Sequence, residues 1–186
     1  RNLHETVLMT SGKGFFQNLT GFLFRKQAGL RPDSTLPVIK TDLQTLNLSE
    51  DLLVWFGHSS YLIQMEGKRL LVDPVFCTAA PVSFVNKPFK GTEVYRPEDM
   101  PDIDWAILEN GQYNEGWKYI HLMPGYMAAV ARELKAAKIL TVHHSKYALA
   151  AHPWDEPLKN ARRMRDRDSL PVVIPQIGEV VNMTGH

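Results

Sequence analysis

The chain carries seven histidines, at positions 4, 58, 121, 143, 144, 152 and 186, and these are the side chains whose chemistry most needs explaining. His143 and His144 follow directly on the apolar run Lys138-Ile139-Leu140-Thr141-Val142. A neutral imidazole suits zinc and similar borderline ions, but a catalytic zinc takes about three protein ligands plus a water. A lone His143 therefore binds no metal usefully, and without partners it is an ordinary buried or cleft histidine. Asp73 closes a second apolar run, and His58 sits in the turn Gly57-His58-Ser59-Ser60. Each has two readings. They can orient the loops of a metal centre through hydrogen bonds, or serve as a strand-end cap and a turn residue satisfied by backbone. His121 lies in Tyr119-Ile120-His121-Leu122-Met123-Pro124, while His4, His152 and His186 read as local or solvent-facing residues.

Other chemistries find less support. Ser59 and Ser60 stand outside any Gly-x-Ser-x-Gly elbow, and no Gly-x-x-x-x-Gly-Lys run is present to cradle phosphates. The cluster Lys159, Arg162, Arg163, Arg165 and Arg167 is interspersed with Asp166 and Asp168, which describes a solvated helix face better than a nucleic-acid patch. A formal charge of +1 supplies no general field for nucleic acid. The single Cys77 rules out an internal disulfide and a cysteine-rich metal knuckle. No apolar run approaches the length of a bilayer span and no cleavable signal pattern opens the chain, so the expected setting is cytoplasmic.

The elements that must position these residues follow from pattern. Residues 53 to 76 read as three short apolar strands, punctuated at Gly57-His58-Ser59-Ser60 and Glu66-Gly67-Lys68, with the Asp73-Pro74 step ending the third. Pro124 suits a first helical turn, and Met127, Val130, Ala131 and Leu134 share one face of a helix predicted over about 125 to 136. Residues 138 to 142 form a buried strand that delivers His143 and His144 to its end, where ligands commonly gather. Asp155 and Pro157 look like the cap and first turn of another helix, with Trp154 as its packing anchor. Phe15, Phe16, Leu19, Phe22 and Leu23 recur at helical spacing, so an N-terminal appendage over residues 1–50 is expected to carry an amphipathic helix. That helix either packs on the domain or touches a membrane surface.

The run from Leu53 to Phe76 resembles the opening strands of the metallo-β-lactamase superfamily, above all the branch of N-acylphosphatidylethanolamine phospholipase D and the ascorbate-phosphate lactonases. In that branch a Gly-His-Ser/Ala-Ser/Thr turn and an Asp-Pro-hydrophobic-Phe strand end lie beside a dinuclear metal site. The likeness continues through Pro81–Phe84 and Met100–Asp104, then resumes in Glu109–Asn114, Trp117–Pro124 and Val142–Pro157. The family's metal-binding run, His-x-His-x-Asp-His, is absent from this sequence. Ile103-Asp104-Trp105-Ala106-Ile107-Leu108 serves both the strand that should precede that run and a strand that should come much later. Residues 102–108 are thus expected to be a junction from which a large middle portion is missing.

The resemblance implies an α/β (α+β) chain with an incomplete metallo-β-lactamase-like αββα sandwich over residues 51–186. It implies a hydrolase whose complete parent uses two divalent metal ions, with zinc the expected metal, on a phosphodiester, a lactone or a related ester. The partner would be a small-molecule or lipid-derived substrate, and the sequence leaves the oligomeric state open. His143 matches the last histidine of the dinuclear site, and His121 matches a position near the substrate cleft. Gly125-Tyr126 departs from the acidic pair usual beside His121. The alternative is a metal-free, non-enzymatic binding or dimerisation domain derived from the same fold.

Overall fold

Glycine at 57 and 67, both at positive φ, lets the chain reverse twice within sixteen residues, so three consecutive strands pair with their neighbours. These are β1 (Leu52–Gly57), β2 (Ser60–Met65) and β3 (Lys68–Val72), joined antiparallel. The computed structural model describes residues 32–76, 88–111, 113, 121–146 and 152–183. The N-terminal segment carrying Phe15 to Leu23 lies outside them, as do Cys77, His4 and His186. All but the first few described residues belong to one unit, Thr35–His186.

After β3 the topology changes. Strands β4 (Trp105–Glu109), β5 (Lys138–Val142) and β6 (Val172–Val173) add in parallel, giving one six-stranded mixed sheet in the order β1-β2-β3-β4-β5-β6. Parallel neighbours need crossovers, and two are helical: α1 (Pro124–Leu134) between β4 and β5, and α2 (Glu156–Asp166) between β5 and β6. The described chain is therefore α+β. The expected sandwich needs a second sheet, and the described residues form one.

Helix α1 begins at Pro124, where a missing N–H costs nothing, buries Met127, Ala131 and Leu134, and ends as Lys135 turns left-handed. Helix α2 buries Pro157, Asn160, Ala161 and Met164 and gives its charges to solvent. Two details differ from the sequence expectation. Trp154 is 70% exposed and so faces solvent rather than packing as an anchor, and the Asp155 side chain makes no cap but pairs with Lys159 at 2.8 Å one helical turn on.

The core runs through Leu62, Leu71, Ala106, Leu108, Ile139 and Met127, so it sits on the middle strands. The segment at the expected junction is the sheet's central strand. β4 pairs with β3 on one side and β5 on the other, and Asp104 accepts from the Arg69 backbone N–H at 2.9 Å and from Lys68 at 3.0 Å. Gln64, fully buried, donates to the Asn47 and Glu50 carbonyls and accepts from Arg69, which ties the 42–50 connector to the sheet.

Candidate functional site

A parallel strand order points several strand ends the same way. Asp73 follows β3, Asn110 follows β4 and His143 follows β5. The ladder runs one step past each pair: the Asp73 N–H donates to the Ile107 carbonyl at 2.8 Å and the Asn110 N–H to the Val142 carbonyl at 2.9 Å. Because β2 is antiparallel to β3, with Tyr61 opposite Val72, the turn at His58 and Ser59 reaches the same end of the sheet. His58, Asp73 and His143, far apart in sequence, thus share one edge, and His121 joins them through Glu109, the last residue of β4. Loops at such an edge are free to carry chemistry because the sheet beneath them is rigid.

The amino-terminal part of this edge is small and locally tied. The Ser59 hydroxyl donates to the Asp73 carboxylate at 2.8 Å. Ser60, 1% exposed, donates to the Asp73 carbonyl and accepts from the Val75 N–H at 2.9 Å. Asp73 and His58 both hold left-handed backbone, with φ of 42° and 50°, so two L-residues bear strain where the turn and strand end meet. The Trp55 indole N–H donates to the His58 carbonyl at 3.0 Å. Beside this turn lies a cleft of about 620 Å³ with mostly apolar walls, among them Trp55, Phe56, Phe76, Phe89 and Tyr95, with His58 and Glu93 as polar members. His143 and Asp73 are not among its walls.

The carboxyl-terminal part is a denser polar network. Glu109 receives His121 Nδ1 at 2.7 Å on one carboxylate oxygen and the Leu122 backbone N–H on the other. A carboxylate only accepts, so Nδ1 carries the hydrogen. Asn110 is fully buried; its amide donates to the Pro157 carbonyl at 2.8 Å, and its Oδ1 has no hydrogen-bond partner among the described residues. Tyr113 donates to Glu156 at 3.0 Å, accepts from Asn160 at 2.7 Å, and stacks on His152 with centroids 4.4 Å apart. Burial, reinforced by the Glu156 carboxylate, pushes the Tyr113 hydroxyl well above its ordinary pKa. His152 Nε2 lies 3.0 Å from the Gly111 carbonyl.

Past β5 the chain twists sharply, with φ of 67° at His143 and 66° at Ser145. His143 is exposed. His144 is half-buried; its Nε2 lies 3.1 Å from the Thr141 carbonyl and 3.0 Å from the Thr141 hydroxyl, and its Nδ1 lies 2.6 Å from the Ser145 hydroxyl. Burial lowers the His144 pKa against a smaller opposing pull from the Thr141 carbonyl.

A metal centre does not assemble from these groups. Among the described residues no three of His, Cys, Asp and Glu converge to hold an ion. His121 is engaged by Glu109, His144 by Thr141 and Ser145, and His152 by backbone carbonyls. The described residues therefore do not fit the two ions that the resemblance implies. Little in the residue order announced the Glu109–His121 pair, Asn110, the Tyr113–Glu156–Asn160 triad or the His144–Ser145 contact. Glu109, Asn110 and Tyr113 stood out only as part of the family likeness, because a polar residue's buried partner has no local sequence signature.

Comparison with known proteins finds relatives of part of the chain. It is 35% identical over 88 residues to N-acyl-phosphatidylethanolamine-hydrolyzing phospholipase D 1 of Caenorhabditis elegans, a match covering 44% of this chain and 24% of that protein. It is 46% identical over 46 residues to the outer membrane protein RomA of Klebsiella pneumoniae, covering 25% of this chain and 35% of that protein. An uncharacterised protein of Mycobacterium bovis is 28% identical over 90 residues, 24% of its length. No family model matches. The matched stretches thus span about a quarter to a third of these relatives. The phospholipase similarity agrees with the resemblance carried by Leu53 to Phe76 and supports a metallo-β-lactamase-like relationship. No helix among the described residues is long and apolar enough to cross a membrane.

Proposed function

We propose that this chain derives from a metal-dependent hydrolase of the metallo-β-lactamase type, acting on a phosphodiester, lactone or related ester of a lipid-derived or other small molecule. The carrying observation is the shared sheet edge: Asp73, Glu109 with His121, and His143 gather at the ends of β3, β4 and β5. The partial match to a phospholipase D supports the hydrolase class. In the complete parent, His143 would contribute one imidazole to a centre of two divalent ions, zinc foremost, and a His-x-His-x-Asp-His run would contribute most of the rest. Bound there, the ions would supply an activated water and Lewis-acid polarisation. In our reading that run belongs between the two contexts that residues 102–108 fuse, and the αββα sandwich is completed only with it. Asp73 would brace the edge through the Ser59 and Ser60 hydrogen bonds, and His58 through the bond its carbonyl accepts from Trp55, rather than bind metal.

The absence of a ligand cluster among the described residues favours a second reading for this polypeptide alone, a metal-free domain of the same descent. Metal analysis by mass spectrometry, with phosphodiesterase and lactonase assays, separates the two when run on the 186-residue protein and on a version carrying the His-x-His-x-Asp-His segment after Asp104. We expect the longer protein to hold two ions and hydrolyse substrate, His143→Ala in it to lose metal and rate, and the shorter protein to do neither. Two tightly held ions in the shorter protein, or an unaffected His143→Ala, would overturn the assignment.

A further inference from the structure

We propose that the sheet face turned away from the two helices is the contact surface of a homodimer, in which two copies of this chain stack sheet against sheet. The proposal deepens the metal-free reading of the polypeptide. Side chains alternate between the faces of a sheet, so each row of paired residues belongs to one face. One row runs Val54, Leu62, Leu71, Ala106, Ile139 and Val172 across all six strands. From Leu62 to Val172 its members are at most 5% exposed, and they lie in the core with the buried residues of α1 and α2. The next row is also apolar from edge to edge: Trp55, Tyr61, Val72, Ile107, Leu140 and Val173. Trp55 is 67% exposed and the other five are partly exposed. None of the six belongs to the core cluster of the described residues or packs against it. Leu53, Ile63, Leu70 and Trp105 make a second apolar row on this face before Lys138 closes it.

A sheet that is apolar on both faces needs a packed layer on each. The helices supply one. A single further helix, about 10 Å across, would cover about two strands, whereas the open row crosses six. Another sheet of the same twist fits a face this broad, the mean strand directions crossing at about 30°. A second copy brings a face of matching width, twist and apolar character, and two-fold symmetry makes every contact reciprocal. The product is helix, sheet, sheet, helix, built from two chains. The charges agree with it. On this face Lys68 and Lys138 stand at the amino ends of β3 and β5, and Glu109 stands at the carboxyl end of β4. A two-fold axis running across the strands lays the lysine end of one copy over the Glu109 end of the other, so opposite signs meet. Five strands of five or six residues span about 24 by 17 Å, roughly 400 Å² per copy. Apolar patches of that size mark interaction sites. A standard interface takes about 800 Å² from each partner, so this dimer is a reversible one of micromolar strength.

Sedimentation equilibrium of the 186-residue protein, from low to several hundred micromolar, tests the proposal. We expect the mass to rise from one chain to two across that range. Trp55→Lys and Leu53→Lys replace residues that are 67% and 60% exposed in the single chain, so each should keep its unfolding midpoint in dilute solution. In a stacked pair each puts two lysines into an apolar contact, and the dissociation constant should rise about tenfold or more. Tyr126→Lys is the control. Tyr126 is equally exposed at 67% but lies on α1, off this face, and its loss should leave the dimer intact. A mass of one chain throughout the range overturns the proposal, as do unchanged dimers in both β1 variants or an equal loss in Tyr126→Lys. So does a wild-type protein that stays single but co-sediments with phosphatidylcholine vesicles, since the face would then belong to lipid. The readout is mass alone, so it stands or falls apart from the metal and activity tests of the hydrolase assignment.

Discussion

The two halves of the sheet edge are built by different means. At the β1–β3 end, Ser59 and Ser60 reach Asp73 and Val75 across only 13 to 15 residues, within one pair of hairpins. At the β4–β5 end, Asn110 meets Pro157, and Tyr113 meets Asn160, each across 47 residues. The first half is held by contacts that are local in sequence. The second exists only once β4, β5 and α2 have come together, and it buries polar atoms that cost free energy whenever a partner is lost. Substitutions there should therefore damage the protein more than chemically similar ones near the hairpins.

Gly111→Ala should be the most damaging. Its Cβ would meet the His143 carbonyl and carbon, which are backbone and cannot rotate away. A loss of about 3 kcal/mol or more in urea-unfolding free energy is expected, at or beyond the upper end of ordinary overpacking. A loss below about 1 kcal/mol would show that the two strand ends are not locked together.

Tyr113→Phe should cost about 1–2 kcal/mol by the same measurement, because Asn160 and Glu156 both lose the hydroxyl they share. It should also alter the alkaline limb of stability. The folded Tyr113 holds its proton above the ordinary tyrosine pKa of 10.0. Its contribution is thus complete below that pH and is lost as pH rises toward the folded value. Wild type should lose stability above about pH 10 more steeply than Tyr113→Phe, which has no proton there to release. Equal slopes in parallel melts would remove Tyr113 from the network.

Ser60→Ala and Ser59→Ala sharpen the comparison from the other half. Ser60 is buried and its loss strands the Val75 N–H, so about 1 kcal/mol is expected, less than for Tyr113→Phe. Ser59 is exposed and its bond to Asp73 competes with water, so its removal should change stability by less than about 0.5 kcal/mol. Equal effects from the two serines would mean that burial does not set the strength of this edge.

Much of the framework could be read directly from residue order. The glycine turns at 57 and 67 and the Asp73-Pro74 stop bounded three strands that the structure places at 52–57, 60–65 and 68–72. Residues 138–142 read as a strand because five consecutive residues suited burial, and Pro124 with Met127, Ala131 and Leu134 marked α1. Periodicity and turn chemistry act within a few residues, so sequence suffices for them. Trp154 is the instructive miss. An aromatic residue beside a helix start has no period to say which way it faces, and it faces solvent.

Tertiary structure alone decided which residues meet. Sequence nominated His58, Asp73, His121 and His143 one by one; the antiparallel β2–β3 pair and the parallel β3, β4 and β5 set them along a single edge. It also assigned Glu109 to His121, Asn110 to Pro157 and Ser145 to His144, pairings that no spacing announces. The last of these joins adjacent residues, yet it too depends on the fold, because left-handed backbone at His143 and Ser145 is held against Gly111 on the neighbouring strand end. Local sequence sets each element's conformation, whereas the partner of a polar side chain depends on sheet order and register, which are settled by burial across the whole sheet.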